Sequence, residues 1–376
     1  MYYVLLLYMG SKYFINILVA ALCAELFVGC GRPVEVEWDA ASLKRVTSGV
    51  YGRVKALSDG RLMLVYSDGP AVCLRTSFDG GDSWSEASEV ARDGRYNYTN
   101  SELLELRDGR LLYLWNARPR EAGTCEYKIM GAVSDDGGTT WCVRDIFHAG
   151  VHPSEGCWEP VALQLPDGHV ELFFADESPY GHSDEQQISM MRSDDGGETW
   201  GAVQCVSFRR GARDGMPVPV YLPRRDEVVV AIEDNGLAGR FKPVTVRSSE
   251  AWRDGCVTGD SPRRMSALKA DEQLHDTIYA GAPYLLRLHD GRTLLSVQST
   301  EGRSGVNERY ANMQVYAGDR NAENFSLRTT PWPDLPPEGN ALWNSLCQTD
   351  DHTVMAVMSV GGIKGGGIWT VKGRLR

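Results

Sequence analysis

Acids, arginines and aromatic residues stand at the borders of short apolar runs along this sequence. Ahead of such runs come Arg53, Asn100 with Glu102, Trp158 with Glu159, Arg213 with Asp214, Tyr284, and Trp343 with Asn344. Behind them come Asp68, Arg118, Asp176 with Glu177, Glu233 with Asp234, and Glu301 with Arg303. Paired carboxylates suit acid–base work. Hydrolysis of a glycosidic bond needs one carboxyl to protonate the leaving oxygen and another opposite it, as nucleophile or base. Their pKa values must be split by environment, and arginine and aromatic neighbours can do that. Groups this far apart in sequence can act together only if the apolar runs bring their ends to one place.

The runs are hairpins. An apolar strand, a two-residue turn centred on Asp-Gly and a second apolar strand appear as Val54–Tyr66, Leu103–Trp115, Pro160–Phe174 and Tyr284–Val297. Asp-Gly between apolar runs is a strong hairpin signal. Val218–Ile232 keeps the strands around Arg225-Asp226, and Leu346–Met358 keeps them around Asp350-Asp351. A second repeat follows three of these hairpins. Ser77-Phe78-Asp79-Gly80-Gly81-Asp82-Ser83-Trp84 is matched by the octapeptides beginning at Ser134 and Ser193, which end on Trp141 and Trp200. This Ser-x-Asp-x-Gly-x-Thr-Trp pattern is a β-turn staple. Its aspartate takes backbone N–H groups, its glycine tolerates positive φ and its tryptophan packs between units. Arg247–Trp252 reads as an eroded fourth copy. Six hairpins at near-regular spacing predict an all-β, six-bladed β-propeller of four-stranded blades over residues 31–376. Its strand ends would gather the polar list around one axial mouth, with the aspartate turns on the opposite face.

The repeated octapeptide is the Asp box, or BNR repeat, of the sialidase-like propellers. Two further segments carry a narrower resemblance. Gly156-Cys157-Trp158-Glu159-Pro160, and Gly215-Met216-Pro217-Val218 leading to Ala231-Ile232-Glu233, resemble the corresponding stretches of exo-α-1,5-L-arabinanases. That resemblance implies Glu159 and Glu233 as the catalytic pair. It leaves Arg53, Asn100, Glu102, Trp158, Asp176, Arg213, Tyr284, Arg303 and Asn344 as candidate substrate-binding residues. Plainer roles stand beside these: an ion-paired Glu159 ahead of a proline, and a Glu233 bonded to Arg53 or Arg240. The sequence is similar to true sialidases in fewer respects. Tyr51-Gly52-Arg53-Val54 keeps one arginine without its proline, and no arginine triad or nucleophilic tyrosine can be placed. An exo-acting glycoside hydrolase on an oligosaccharide or glycoconjugate is therefore the expected function, arabinanase-like in preference to sialidase. A non-catalytic glycan-binding propeller is the competing class. Trp115, Trp158, Tyr180, Tyr284 and Trp343 would suit sugar stacking in either case.

Composition sets the outer limits. Net charge is −11, with no basic tract to track phosphates, so nucleic acid is not an expected partner. The histidines are scattered and the cysteines show no zinc spacing, so neither a metal nor another cofactor is expected. Seven cysteines beyond residue 30 allow a bridge, without saying which. Residues 1–30 read as an export signal: Lys12, an apolar run from Tyr13 to Val28, then Gly29-Cys30. Met9 is a second candidate start. Phe27-Val28-Gly29-Cys30 resembles a bacterial lipobox, which implies lipidation of Cys30. The expected location is the bacterial cell envelope, with membrane contact only through that lipid.

Overall fold

The computed structural model describes residues 33–376 except Ala238; the export signal and Cys30 lie outside the described residues. The second strand of each hairpin is buried on both faces, as in Leu62–Asp68 and Val170–Asp176, because blades pack on either side of it, and the strands pair into six sheets. Blade 1 comprises Val50–Ala56, Leu62–Asp68, Ala71–Ser77 and Ser88–Arg92. Blade 2 comprises Tyr96–Glu105, Leu111–Pro119, Lys128–Ser134 and Cys142–His148. Blade 3 starts with Cys157–Gln164, Val170–Asp176, Gln187–Ser193 and Gln204–Phe208, and blade 4 with Asp214–Leu222, Glu227–Asp234, Lys242–Ser248 and Arg264–Ser266. Blade 5 comprises Ala280–Arg287, Thr293–Ser299, Asn312–Gly318 and Ser326–Thr329. Blade 6 takes Asn340–Asp350, Thr353–Gly361 and Gly367–Leu375 from the C-terminal part, and Val36–Thr47 closes it as the outer strand. That pairing of distant segments shuts the ring. Blade 3 departs from four strands: Val257–Thr258 adds a parallel fifth, and a Cys205–Cys256 disulfide fastens it to the outer strand.

The hairpin turns differ from expectation by one residue. Leu57 N–H bonds Arg61 O while Gly60 N–H bonds Leu57 O, at 2.8 and 2.9 Å. Three residues thus span the turn, with Gly60 in the left-handed region at φ 87°. Leu106–Arg110, Leu165–His169 and Leu288–Arg292 repeat this pattern.

The Asp boxes are staples, as expected. Asp136 accepts from Thr139 N–H, Thr140 N–H and Thr140 Oγ1 at 2.6–3.0 Å, and Asp195 does the same in blade 3. In the eroded copy, Ser248 Oγ still accepts from Trp252 N–H at 2.9 Å, and Trp252 is wholly buried against Phe173. No box residue lines the main cavity.

Each inner strand also carries a bulge that the hairpin pattern did not reveal. Register slips after Val50, Thr99, Trp158, Gly215, Gly281 and Leu342. The next residue is left-handed every time: Tyr51, Asn100, Glu159, Met216, Ala282 and Trp343 have φ between 46° and 61°. Outside glycine this conformation costs on the order of 1 kcal/mol or more, so six aligned instances mark a built feature. The bulges re-aim side chains toward the axis at one end of the ring.

Candidate functional site

The amide N–H groups in these bulges are lost to their own ladders, and the preceding blade satisfies four of them. Tyr51 N–H donates to Ser359 Oγ at 2.8 Å and Trp343 N–H to Gln298 Oε1 at 2.7 Å. Ala282 N–H donates to Glu233 Oε2 at 2.6 Å, and Met216 N–H to Glu159 Oε2 at 2.7 Å. Ser359, Gln298 and Glu233 occupy equivalent places, each opposite the residue that precedes its bulge. Blade 3 has Ala175 there, which accepts nothing, so Glu159 reaches across from the inner strand instead.

That substitution brings the two glutamates to one dipeptide. Glu233 pairs across the ladder with Gly215, and the following residue, Met216, bonds Glu159. A Cβ on Gly215 would stand 3.0 Å from Glu233 Oε1, and one on Gly281 only 2.4 Å from Oε2. Glycine at both places makes room for the carboxyl group. Burial lifts both carboxyls well above the ordinary glutamate range, and the Glu233 charge raises Glu159 further. The plainer roles considered for them do not hold: the partners are backbone amides, and Arg240 instead donates to Val306 O.

Both glutamates line a cavity of about 830 Å³ whose walls come mostly from blades 1–3. Asn100, Trp158 and Arg213 line it as expected. Trp158 meets the edge of Tyr127 at 5.2 Å and carries the Arg118 guanidinium 5.4 Å from its ring centre. Gly156 permits this placement, because a Cβ there would lie 2.2 Å from the indole. Arg213 is held by Glu177 and by Gln186 Oε1 at 2.6 Å. The floor is Tyr51 stacked on Trp343 at 4.5 Å.

The other candidates lie elsewhere. Arg53, Glu102 and Tyr284 sit beneath the floor in a buried axial network. Arg53 Nε meets Glu102 Oε2 at 3.2 Å, and Lys55 Nζ meets Glu102 Oε1 and Tyr284 OH, each at 2.9 Å. Charges removed from water need such partners, so these groups hold the axis together and do not face the open cavity. Tyr284 and Lys55 border a separate cavity of about 450 Å³ on the other side of that network. Asp176 is occupied by Ser178 N–H, Ser178 Oγ and Ser189 Oγ at 2.7–3.0 Å. Arg303 is spent on the carbonyls of Tyr310, Leu335, Pro336 and Gly339. Asn344 is buried off the cavity, and neither end of its amide meets a partner. Of the stacking aromatics, Trp115 is buried between strands and Tyr180 lies against Phe208.

Tyr51, Tyr98, Arg120, Tyr127, Gln186 and Phe241 line the cavity without having been singled out from the sequence. One signal pointed that way: Arg120 follows Arg118 at the strand period.

The model of the BNR repeat-like domain matches residues 109–222. No curated protein matches the sequence. Among solved structures, a Dyadobacter fermentans protein of unknown function is similar with a TM-score of 0.67 and 14% identity, over 92% of this chain and 98% of that one. The α-L-arabinofuranosidase of Fusarium graminearum, solved with an iminosugar inhibitor, gives 0.64 and 19% over 92% and 98%. The NanB sialidase of Streptococcus pneumoniae gives 0.60 and 12% over 89% and 70%. The chain is thus a six-bladed β-propeller that carries a BNR repeat-like domain and shares its fold with sialidases and α-L-arabinofuranosidases.

Proposed function

We propose that the protein is an exo-acting glycoside hydrolase whose catalytic pair is Glu159 and Glu233, acting on an arabinofuranoside-type oligosaccharide. The observation that carries this reading is the choice of carboxylate at position 233. The bond to the next blade needs only an acceptor, and Gln298 and Ser359 supply one without charge. A buried acid costs desolvation that an amide avoids. Glu233 therefore offers something the bulge does not require. Glu159 faces the same dipeptide with its pKa also raised, so one carboxyl can hold a proton near neutral pH while the other is ionised. The protonated member would donate to the leaving oxygen, and the ionised one would attack the sugar or activate water. Trp158 and the Tyr51–Trp343 stack offer faces for the sugar ring.

A glycan-binding propeller is the second reading. It is favoured by the structural bond that Glu233 shares with its neutral counterparts. Incubating residues 31–376 with α-1,5-arabino-oligosaccharides and with sialosides decides between them. Release of arabinose supports the proposal, and release of sialic acid replaces the substrate. Binding without turnover of either class leaves the second reading. Export with lipidation at Cys30 remains part of the proposal, and a disulfide suits an oxidising compartment.

A further inference from the structure

Three arginines line the cavity, and they are not alike. Arg213 is neutralised by Glu177. Arg118 and Arg120 lie two residues apart on the same face of one strand and its continuation, and both are exposed. Among the described residues neither has a carboxylate within ion-pair distance. Arg118 rests on Trp158, and Arg120 Nε donates to Asn97 Oδ1 at 3.1 Å. The Arg118 guanidinium packs against Trp158 and also neighbours the Tyr127 hydroxyl, and both arginines line the cavity. We propose that Arg118 and Arg120 form an anion-recognising subsite, so that the preferred glycan bears a carboxylate on a residue bound over Trp158.

Two physical points favour an anion over neutral hydroxyls. A planar guanidinium matches a carboxylate with two parallel hydrogen bonds, stronger than those to a hydroxyl. The cavity walls also exclude part of the solvent, so two uncompensated positive charges act through less water than on an open surface. With one of its two carboxyls holding a proton, the Glu159–Glu233 pair offsets this attraction only in part. This inference rests on reading the cavity as a glycan site, but it does not require hydrolysis there.

The test is calorimetric titration of residues 31–376 with D-galacturonate, N-acetylneuraminate and neutral D-galactose. The expected result is at least ten-fold tighter binding of one acid than of galactose, an advantage that shrinks as salt is raised. Tighter galacturonate would identify a uronate and tighter N-acetylneuraminate a sialic acid. Arg118→Gln combined with Arg120→Gln should remove the advantage without changing the unfolding midpoint, since both side chains are exposed. Equal affinities, no measurable binding of either acid, or an advantage that survives in the double variant would overturn the subsite. A chain that hydrolyses neutral arabino-oligosaccharides but fails this titration loses the subsite alone. One that passes it without turnover loses only the catalytic reading.

Discussion

Glu233 accepts the Ala282 amide at 2.6 Å, the bond that Gln298 makes to Trp343 one blade later. The molecule therefore contains its own control for an amide at this place. Glu233→Gln should fold with an unfolding midpoint equal to or above that of the parent. Glu233→Ala strands a buried N–H and should lose about 1–3 kcal/mol. Denaturant titration of both variants checks this, and equal losses would mean that the bond does not matter.

Glu171 gives the protein a pH-dependent weakness. It is fully buried between blades and neither of its oxygens meets a donor, so burial lifts its pKa to about 7. The folded state thus holds the proton that the unfolded chain releases near 4.5. The contribution of Glu171 to stability should be greatest below that value and fall as pH rises to about 7, by up to about 3 kcal/mol. Glu159 and Glu233 act with the same sign. Glu171→Gln should raise the unfolding midpoint at pH 8 and leave it unchanged at pH 4. Equal midpoints for parent and variant at pH 8 would contradict this.

Gly156 has φ −73°, which any residue adopts, so its smallness serves Trp158 alone. Gly156→Ala should displace the indole, shift its fluorescence and weaken binding of an arabino-oligosaccharide about ten-fold. The fold should persist, because the backbone needs no change. Unchanged fluorescence and affinity would remove Trp158 from the sugar site.

The Cys205–Cys256 bridge ties the outer strand of blade 3 to the loop beyond blade 4's third strand, 51 residues on. Reduction, or Cys256→Ser, should cost about 2–4 kcal/mol. Thermal unfolding with and without dithiothreitol measures it. No shift would mean that the two thiols are unpaired in the purified protein.

The ring of blades was legible because Asp boxes and Asp-Gly hairpins are local: each works through residues a few positions apart. Glu159 and Glu233 stood among the residues at the strand borders, but only the resemblance singled them out as a pair. What aligns them is a bulge on every inner strand, and Tyr51, Asn100, Met216 and Trp343 share no residue type that announces left-handed backbone. Arg53, Glu102 and Tyr284 misled for a related reason. They stand two residues past the bulge or at its far edge, which points them down the axis, away from the mouth. Arg303 and Asp176 were misplaced because loop carbonyls and serines, invisible to a spacing argument, had already claimed them.

The most direct test is the turnover of Glu159→Gln and Glu233→Gln on the substrate that the parent hydrolyses. Each amide keeps the bond to Met216 or Ala282 and loses only acid chemistry. Both variants should unfold like the parent while kcat falls by at least about a thousand-fold, with substrate still bound. Folded variants with near-parental kcat would contradict the catalytic pair.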